Sequence, residues 1–138
     1  MCIRDRGEVP IGAVVVRAGE IVARAHNRRE LDQDPSAHAE FAALCAAARS
    51  LGRWRLSDCT VYVTLEPCPM CAGAIINSRL RRVVYGASDP KAGSCGSVAN
   101  LFELPYNHKP ELVSGFMAEE CSALLTDFFA ELRKKKKV

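Results

Sequence analysis

The stretch 60–78, Thr-Val-Tyr-Val-Thr-Leu-Glu-Pro-Cys-Pro-Met-Cys-Ala-Gly-Ala-Ile-Ile-Asn-Ser, decides the fold. Its first five residues, Thr60 to Thr64, form a β-branched apolar run that predicts a buried strand. The Ala- and Ile-rich segment that ends near Ser78 predicts a helix, and the Pro-containing turn places Cys68 at the start of that helix. A strand that runs through a short turn into a helix is typical of a sheet covered by helices.

The segments on either side extend this architecture. Apolar periodicity and turn residues predict four further strands, at 11–17, 21–25, 82–86 and 112–115, and two further helices, at 35–52 and 121–132. The segment 27–34 and the Gly- and Ser-rich segment 87–97 are predicted to be loops. The order β-β-α-β-α-β-β-α predicts a helix-covered sheet in a single α/β domain that spans 1–138.

Composition limits the class of protein. The 138 residues are 49% hydrophobic, which is enough for one core, and no apolar run has the length of a membrane span or an export signal. We therefore expect a soluble, cytoplasmic protein without membrane contact. The seven cysteines are an odd number, which argues against a disulfide framework. The net charge of +3 comes from the basic tail 133–138, which taken alone is weak evidence for RNA.

Two motifs carry chemistry: His38-Ala39-Glu40, and Pro67-Cys68-Pro69-Met70-Cys71. Zinc prefers nitrogen and sulfur donors in a tetrahedron, and a catalytic site uses three protein ligands and leaves the fourth position to water. We predict His38, Cys68 and Cys71 as these ligands, with Ser36 as the N-cap that places His38 at a helix entrance. Glu40 is not needed as a ligand and is predicted to carry protons.

Two other interpretations of these residues remain open. A closed structural zinc site would need a fourth ligand, for which Cys95 and His108 are the candidates. A redox role for Cys68 and Cys71 would have the same spacing, but no thioredoxin-like context accompanies it. The closed site would leave Glu40 without a function, so the catalytic site is favoured.

From Glu8 to Phe129 the chain resembles the bacterial tRNA-specific adenosine deaminase family. Besides the two zinc motifs, which also occur in deaminases of free bases and nucleosides, the resemblance rests on Glu-Val-Pro-Ile-Gly-Ala-Val at 8–14, Asp-Pro-Lys-Ala-Gly at 89–93, Asn-His at 107–108 and the segment 118–129. It implies a cytidine-deaminase-like fold with a central mixed sheet of about five strands, one Zn²⁺ per subunit and a homodimer.

The implied reaction converts adenosine to inosine at the wobble position of tRNA. The implied partner is the anticodon stem-loop and not DNA.

The same resemblance implies roles for further residues. Asn27 would bind a flipped-out nucleotide, Val9 and Leu65 would line its pocket, Asp89 would contact the neighbouring anticodon loop, and Phe129 would lie near the RNA. Each has a structural alternative. Asn27 and Asp89 could close or start turns, and the apolar side chains could belong to the core.

The start of the chain departs from the family pattern, and two other functions are compatible with the zinc motifs. The family has an amphipathic helix before Glu8, whereas 1–7 show no helical periodicity, so we expect a truncated start and a sheet that lacks one covering helix. A deaminase of a free base or nucleoside, such as guanine or cytosine, would share the zinc motifs. A zinc-stabilised RNA-binding subunit without activity is the second rival. The last helix and the basic tail are predicted to follow a phosphate backbone.

Overall fold

The computed structural model describes residues 8–136, so the predictions for 1–7 and for the last two residues of the tail lie outside the described residues. A five-stranded sheet is flanked by four α-helices. Its strands are β1 Gly12–Arg17, β2 Glu20–His26, β3 Cys59–Leu65, β4 Arg82–Ala87 and β5 Glu111–Val113, and its helices are α1 Arg29–Asp32, α2 Ala39–Leu51, α3 Pro69–Asn77 and α4 Ala118–Lys136. The predicted α/β fold with a mixed sheet is confirmed, and every predicted strand is present.

The strand order is β2-β1-β3-β4-β5, in which β1 pairs antiparallel with β2 and β3, whereas β3, β4 and β5 run parallel. The hairpin between β1 and β2 turns at Ala18 and Gly19, whose φ angles are 52° and 79°. Positive φ at both positions matches the twist that joins two adjacent antiparallel strands. This explains why a short Gly-containing turn predicted the hairpin.

One face of the sheet buries alternate residues of β1 and β3. Val15, Val61 and Val83 belong to the main core together with α2 and α3. Side chains one position along the strands point to the opposite face. There Gly86 lets α4 approach, because a Cβ atom at this glycine would lie 2.4 Å from Cys121 Sγ. Helices α2 and α3 therefore cover one face, whereas on the other face α4 packs on β4 and, to a lesser extent, on β3. The side chains of β1 and β3 on that face stay half-buried, as expected for a sheet that lacks one covering helix.

The start of α2 differs from the prediction. The N-cap is His38, with φ −85° and ψ 148°, and not Ser36. The Ser36 backbone N–H and hydroxyl both donate to Asp34 Oδ1, at 2.8 and 2.7 Å. Because this bond closes a turn before the helix, the first helical carbonyl is that of His38, which accepts from Ala42 N–H at 3.0 Å. Gly52, with φ 69°, ends the helix as predicted.

Two other segments contain more helix than predicted. The predicted loop 27–34 contains α1, which is spanned by an exposed ion pair between its N-cap Arg28 and its last residue Asp32. The basic tail begins inside α4, which continues to Lys136. Lysine and arginine are good helix formers, and their charge is favourable at a helix C-terminus. No helix within residues 8–136 has the length and apolar character that crossing a membrane requires.

Candidate active site

The N-termini of α2 and α3 meet on one side of the sheet and carry the predicted ligands. His38 is the N-cap of α2 and Cys68 is the N-cap of α3, and neither side chain caps its own helix. Pro69 follows at the first helical position, where its missing N–H is not needed. Both N-cap side chains are therefore free to point between the helices. Cys71, one turn into α3, joins them.

The three side chains form a compact donor set. One ligand atom each from His38, Cys68 and Cys71 lies within 4.8 Å of the others. His38 Nδ1 is 3.6 Å from Cys68 Sγ and 3.5 Å from Cys71 Sγ. In a zinc tetrahedron with Zn–N of about 2.0–2.1 Å and Zn–S of about 2.3 Å, nitrogen and sulfur ligands are about 3.5 Å apart. The donor set therefore fits zinc in both chemistry and spacing.

The two thiols have different proton affinities. A hydrogen bond from the Cys71 thiol, aided by His38, lowers the pKa of Cys68 to about 4. The same hydrogen bond, together with burial, raises the pKa of Cys71. Hydrogen bonding with Cys68 also raises the pKa of His38. A metal that binds both sulfurs as thiolates would displace the proton that the two thiols share.

Glu40 lies beside this cluster with only 4% of its surface exposed. Burial raises the pKa of its carboxyl group, and the nearby Cys71 and His38 offset only part of that effect. It lines the same cavity as His38 and Cys68. A buried carboxyl group that holds its proton more readily than usual is suited to accept and return a proton.

A cavity of about 220 Å³ opens at this cluster. It contains eight of the nine residues predicted for the site; only Cys71 lies behind its wall. The eight are Val9, Asn27, His38, Glu40, Leu65, Cys68, Asp89 and Phe129. The tertiary structure therefore brings the predicted residues together, while their individual roles remain predictions.

The cavity wall also contains residues that the sequence analysis missed. Arg29 and Glu66 contribute charge, and Ile11, Ala39 and Ala92 contribute apolar or small surface. Arg29 is exposed at the mouth and forms none of the ion pairs found among residues 8–136. A single arginine in a polar loop has no distinguishing spacing, so no sequence signal would have identified it.

Asn27 and Asp89 both make turn contacts as well as lining the cavity. Asn27 Oδ1 accepts from Arg29 N–H at 3.3 Å, and the residue is 5% exposed. Asp89 Oδ1 accepts from Lys91 N–H at 3.0 Å and from Ala92 N–H at 3.2 Å. The turn-forming alternatives are therefore present in the structure. They do not compete with a binding role, because the same bonds hold both residues at the cavity wall.

The structure provides no fourth protein ligand for a closed zinc site within residues 8–136. His108 Nε2 donates to the Leu80 carbonyl at 2.6 Å, beside the start of β4. Cys95 is buried outside the donor set, and burial raises the pKa of its thiol to about 12. Neither residue therefore belongs to the donor set of His38, Cys68 and Cys71.

Phe129 lies between the cavity and a second groove. Its ring packs edge-on against Phe128, with ring centroids 5.3 Å apart, and is 42% exposed. Phe128 is buried. The second groove shares Phe129 and Asp89 with the cavity and also contains Lys91. Phe129 thus presents an aromatic surface at the cavity mouth.

Comparisons with known proteins relate this chain to deaminases. The model of the MafB19-like deaminase family matches residues 3–133. A tRNA-specific adenosine deaminase of Bacillus subtilis (strain 168) is 58% identical over 134 residues, which are 96% of this chain and 83% of the relative. A solved structure from a study of A-to-I editing by tRNA deaminases at the wobble position of transfer RNA has a TM-score of 0.85 and 46% identity, with 88% of each chain covered. A guanine deaminase from Nitrosomonas europaea has a TM-score of 0.80 and 25% identity, covering 92% of this chain and 76% of that one.

Proposed function

Since this chain belongs to the MafB19-like deaminase family and is one of its tRNA-specific adenosine deaminases, we propose that it is zinc-dependent and converts adenosine to inosine at the wobble position of tRNA. The observation that carries the proposal is the buried Glu40 carboxyl beside a His-Cys-Cys donor set at the floor of one cavity. The signature of a histidine and glutamate followed by two cysteines is that of enzymes that remove an exocyclic amine from a nucleobase.

The proposed mechanism divides the work between the donor set and Glu40. His38, Cys68 and Cys71 would hold zinc, which when bound supplies a water of lowered pKa as the nucleophile. As the oxygen of this water bonds to C6 of adenine, Glu40 would accept one of its protons and deliver it to a ring nitrogen. Glu40 would then pass the second proton to the exocyclic amine, which leaves as ammonia when the C6–N bond breaks. Burial of Glu40 supports this role, because the raised pKa of its carboxyl group lets it hold the proton between these transfers.

The shape of the cavity supports a single base as its occupant. Its volume of about 220 Å³ lies below the range of about 300–1,000 Å³ that is common for drug-sized ligands. Val9 and Leu65 would contact the faces of the base, and Asn27 would bind its edge or the sugar. Asp89 and Phe129, at the mouth, would contact the adjoining anticodon-loop nucleotides.

The proposal includes a homodimer and an anticodon stem-loop as the bound part of tRNA. A tRNA substrate also implies action in the cytoplasm. Light scattering at concentrations near those of the assay tests the dimer. A monomeric mass with full activity would contradict that part of the proposal and leave the rest intact.

One assay tests the reaction. The zinc-loaded protein is incubated with an anticodon stem-loop that carries adenosine at the wobble position, and with a matched stem-loop in which the adenosine occupies another loop position. We expect inosine only in the first RNA. Free guanine and free cytidine are the comparison substrates. Efficient turnover of either with no inosine in the RNA would instead indicate a free-base or nucleoside deaminase.

A further inference from the structure

Glu66 lies between β3 and α3, two residues before Cys68, and the chemistry proposed above does not use its carboxylate. Only 2% of the residue is exposed. Burying a carboxylate costs free energy unless hydrogen bonds replace those it made with water. No ion pair among residues 8–136 includes Glu66. Its partners must therefore be neutral donors.

Those donors all belong to the segment 88–97, which we name the cavity loop. Glu66 Oε1 accepts from Asp89 N–H at 3.1 Å and from the Ser97 hydroxyl. Glu66 Oε2 accepts from Cys95 N–H at 3.0 Å and from Ser97 N–H at 3.1 Å. One carboxylate thus binds the beginning and the end of the cavity loop at once.

Main-chain contacts continue the same attachment. Glu66 N–H donates to Ala87 carbonyl at 2.8 Å, and Ser94 N–H donates to Pro67 carbonyl at 2.9 Å. A Cβ atom at Gly93 would lie 2.4 Å from the Glu66 carboxylate and 2.5 Å from Asp89 carbonyl. The loop therefore packs on Glu66 so closely that this position has no room for a side chain.

The loop that Glu66 holds carries part of the cavity wall. Asp89 and Ala92 face the cavity, and the turn that Glu66 begins leads directly to the ligand Cys68. Resting on the proposed function, we propose that Glu66 is a positioning residue, which sets the cavity loop against the Cys68 turn and thereby determines how tightly the RNA substrate is bound.

The four hydrogen bonds require a side chain that accepts at both of its terminal oxygens. A carboxylate only accepts, so it matches four donors. A glutamine of the same shape would point its own N–H groups at one pair of donors, and that end of the loop would lose its attachment.

The main variant is Glu66→Gln, with Glu103→Gln, an exposed glutamate on the short 3-10 helix, as the matched control. A second pair, Ser97→Ala and Ser97→Thr, removes and restores the hydroxyl donor at an exposed position. Each protein is measured for KM and kcat on the wobble-adenosine stem-loop, for bound zinc, for its melting temperature, and for amide hydrogen exchange across the cavity loop.

We expect Glu66→Gln to raise KM about tenfold or more, the effect of losing a hydrogen bond to a charged group. Bound zinc should stay near that of wild type, kcat should fall less than KM rises, and the amides of 88–97 should exchange faster. Ser97→Ala should show a smaller rise in KM that Ser97→Thr reverses, which keeps the proposal testable where Glu66→Gln does not fold.

A lower melting temperature with unchanged KM and unchanged loop exchange would overturn the proposal and leave Glu66 as a stabilising residue. The exchange measurement needs no substrate. Absence of inosine formation by wild type would therefore contradict the proposed function alone, and loop protection would still decide whether Glu66 positions the loop.

Discussion

Cys71 Sγ lies 3.5 Å from His38 Nδ1, although 33 residues separate them in the chain. The contact exists because α2 and α3 begin side by side on one face of the sheet, and their N-terminal residues point into the space between them. Orphan backbone N–H groups at a helix start favour a thiolate. The relative position of the two helices therefore favours metal binding in two ways: it sets the distances between the donor atoms, and it places the thiols at a helix start.

Loss of one sulfur should prevent metal binding. Changes to residues that merely support a metal ligand commonly cost about 10–100-fold in metal affinity, so Cys71→Ser should cost more than about 100-fold. Cys45→Ser, on α2 and outside the donor set, is the matched control and should retain zinc. Metal analysis after dialysis measures the effect. Full zinc content in the Cys71 variant would contradict the ligand assignment.

Glu40→Gln should separate chemistry from metal binding. The glutamine fills the same buried space but cannot accept and return the proton, so turnover should fall by about 10²–10⁴-fold. Zinc content and melting temperature should stay close to wild type. Glu119→Gln, in the exposed first turn of α4, is the control and should be fully active. Comparable activity in both variants would remove Glu40 from the mechanism.

Asn27 can be tested with a variant that keeps its turn contact. Asn27→Asp retains an oxygen that accepts the Arg29 N–H but loses the amide donor that would face the substrate. We expect KM for the stem-loop to rise about tenfold, as for one unsatisfied polar group. The newly buried charge should also lower the melting temperature. Asn27→Ala should lose the turn contact as well as the amide donor. A KM equal to that of wild type in Asn27→Asp would leave only the turn-forming role.

Arg29, at the cavity mouth, should contact a phosphate of the substrate. Arg29→Ala should weaken stem-loop binding and reduce the slope of log affinity against log salt by about 1. The control is Arg24→Ala, which removes an exposed arginine of β2 that lies outside the cavity. Fluorescence anisotropy over a salt series measures both. An unchanged slope in Arg29→Ala would exclude a phosphate contact.

We predict that the ion pairs of Asp58 contribute to the free energy of unfolding and that this contribution is lost in acid. Hydrogen bonds from Arg53 and Arg17 hold the pKa of its carboxyl group below the usual value of 3.8. The stabilisation is thus present above about pH 4 and is lost as the pH falls below it. Since these side chains are partly exposed, Asp58→Asn should lower the free energy of unfolding by about 1 kcal/mol or less at pH 7. Urea unfolding should show the difference shrinking toward pH 3; a constant difference would contradict this origin.

Local patterns in the sequence were sufficient for much of the fold. Alternation in Thr60–Thr64, the Gly-containing hairpin turn and the spacing of Cys68 and Cys71 on one helical turn depend on neighbouring residues, and the structure contains all three. The prediction of Ser36 as the N-cap was wrong because its hydroxyl donates to Asp34. Sequence composition does not decide whether a serine binds a neighbouring side chain or caps the helix.

By itself the sequence determined the strand-turn-helix unit, the candidate metal donors and the presence of a spare carboxylate, because these follow from residue type and from spacing within one turn. Only the tertiary structure decided that His38 meets the two sulfurs, that Cys95 and His108 lie elsewhere, and that Arg29 stands at the cavity mouth. The attachment of the cavity loop 88–97 to Glu66 was likewise decided only by the tertiary structure. Such contacts join residues 23 to 33 positions apart, and their geometry follows from how the helices and loops pack on the shared sheet.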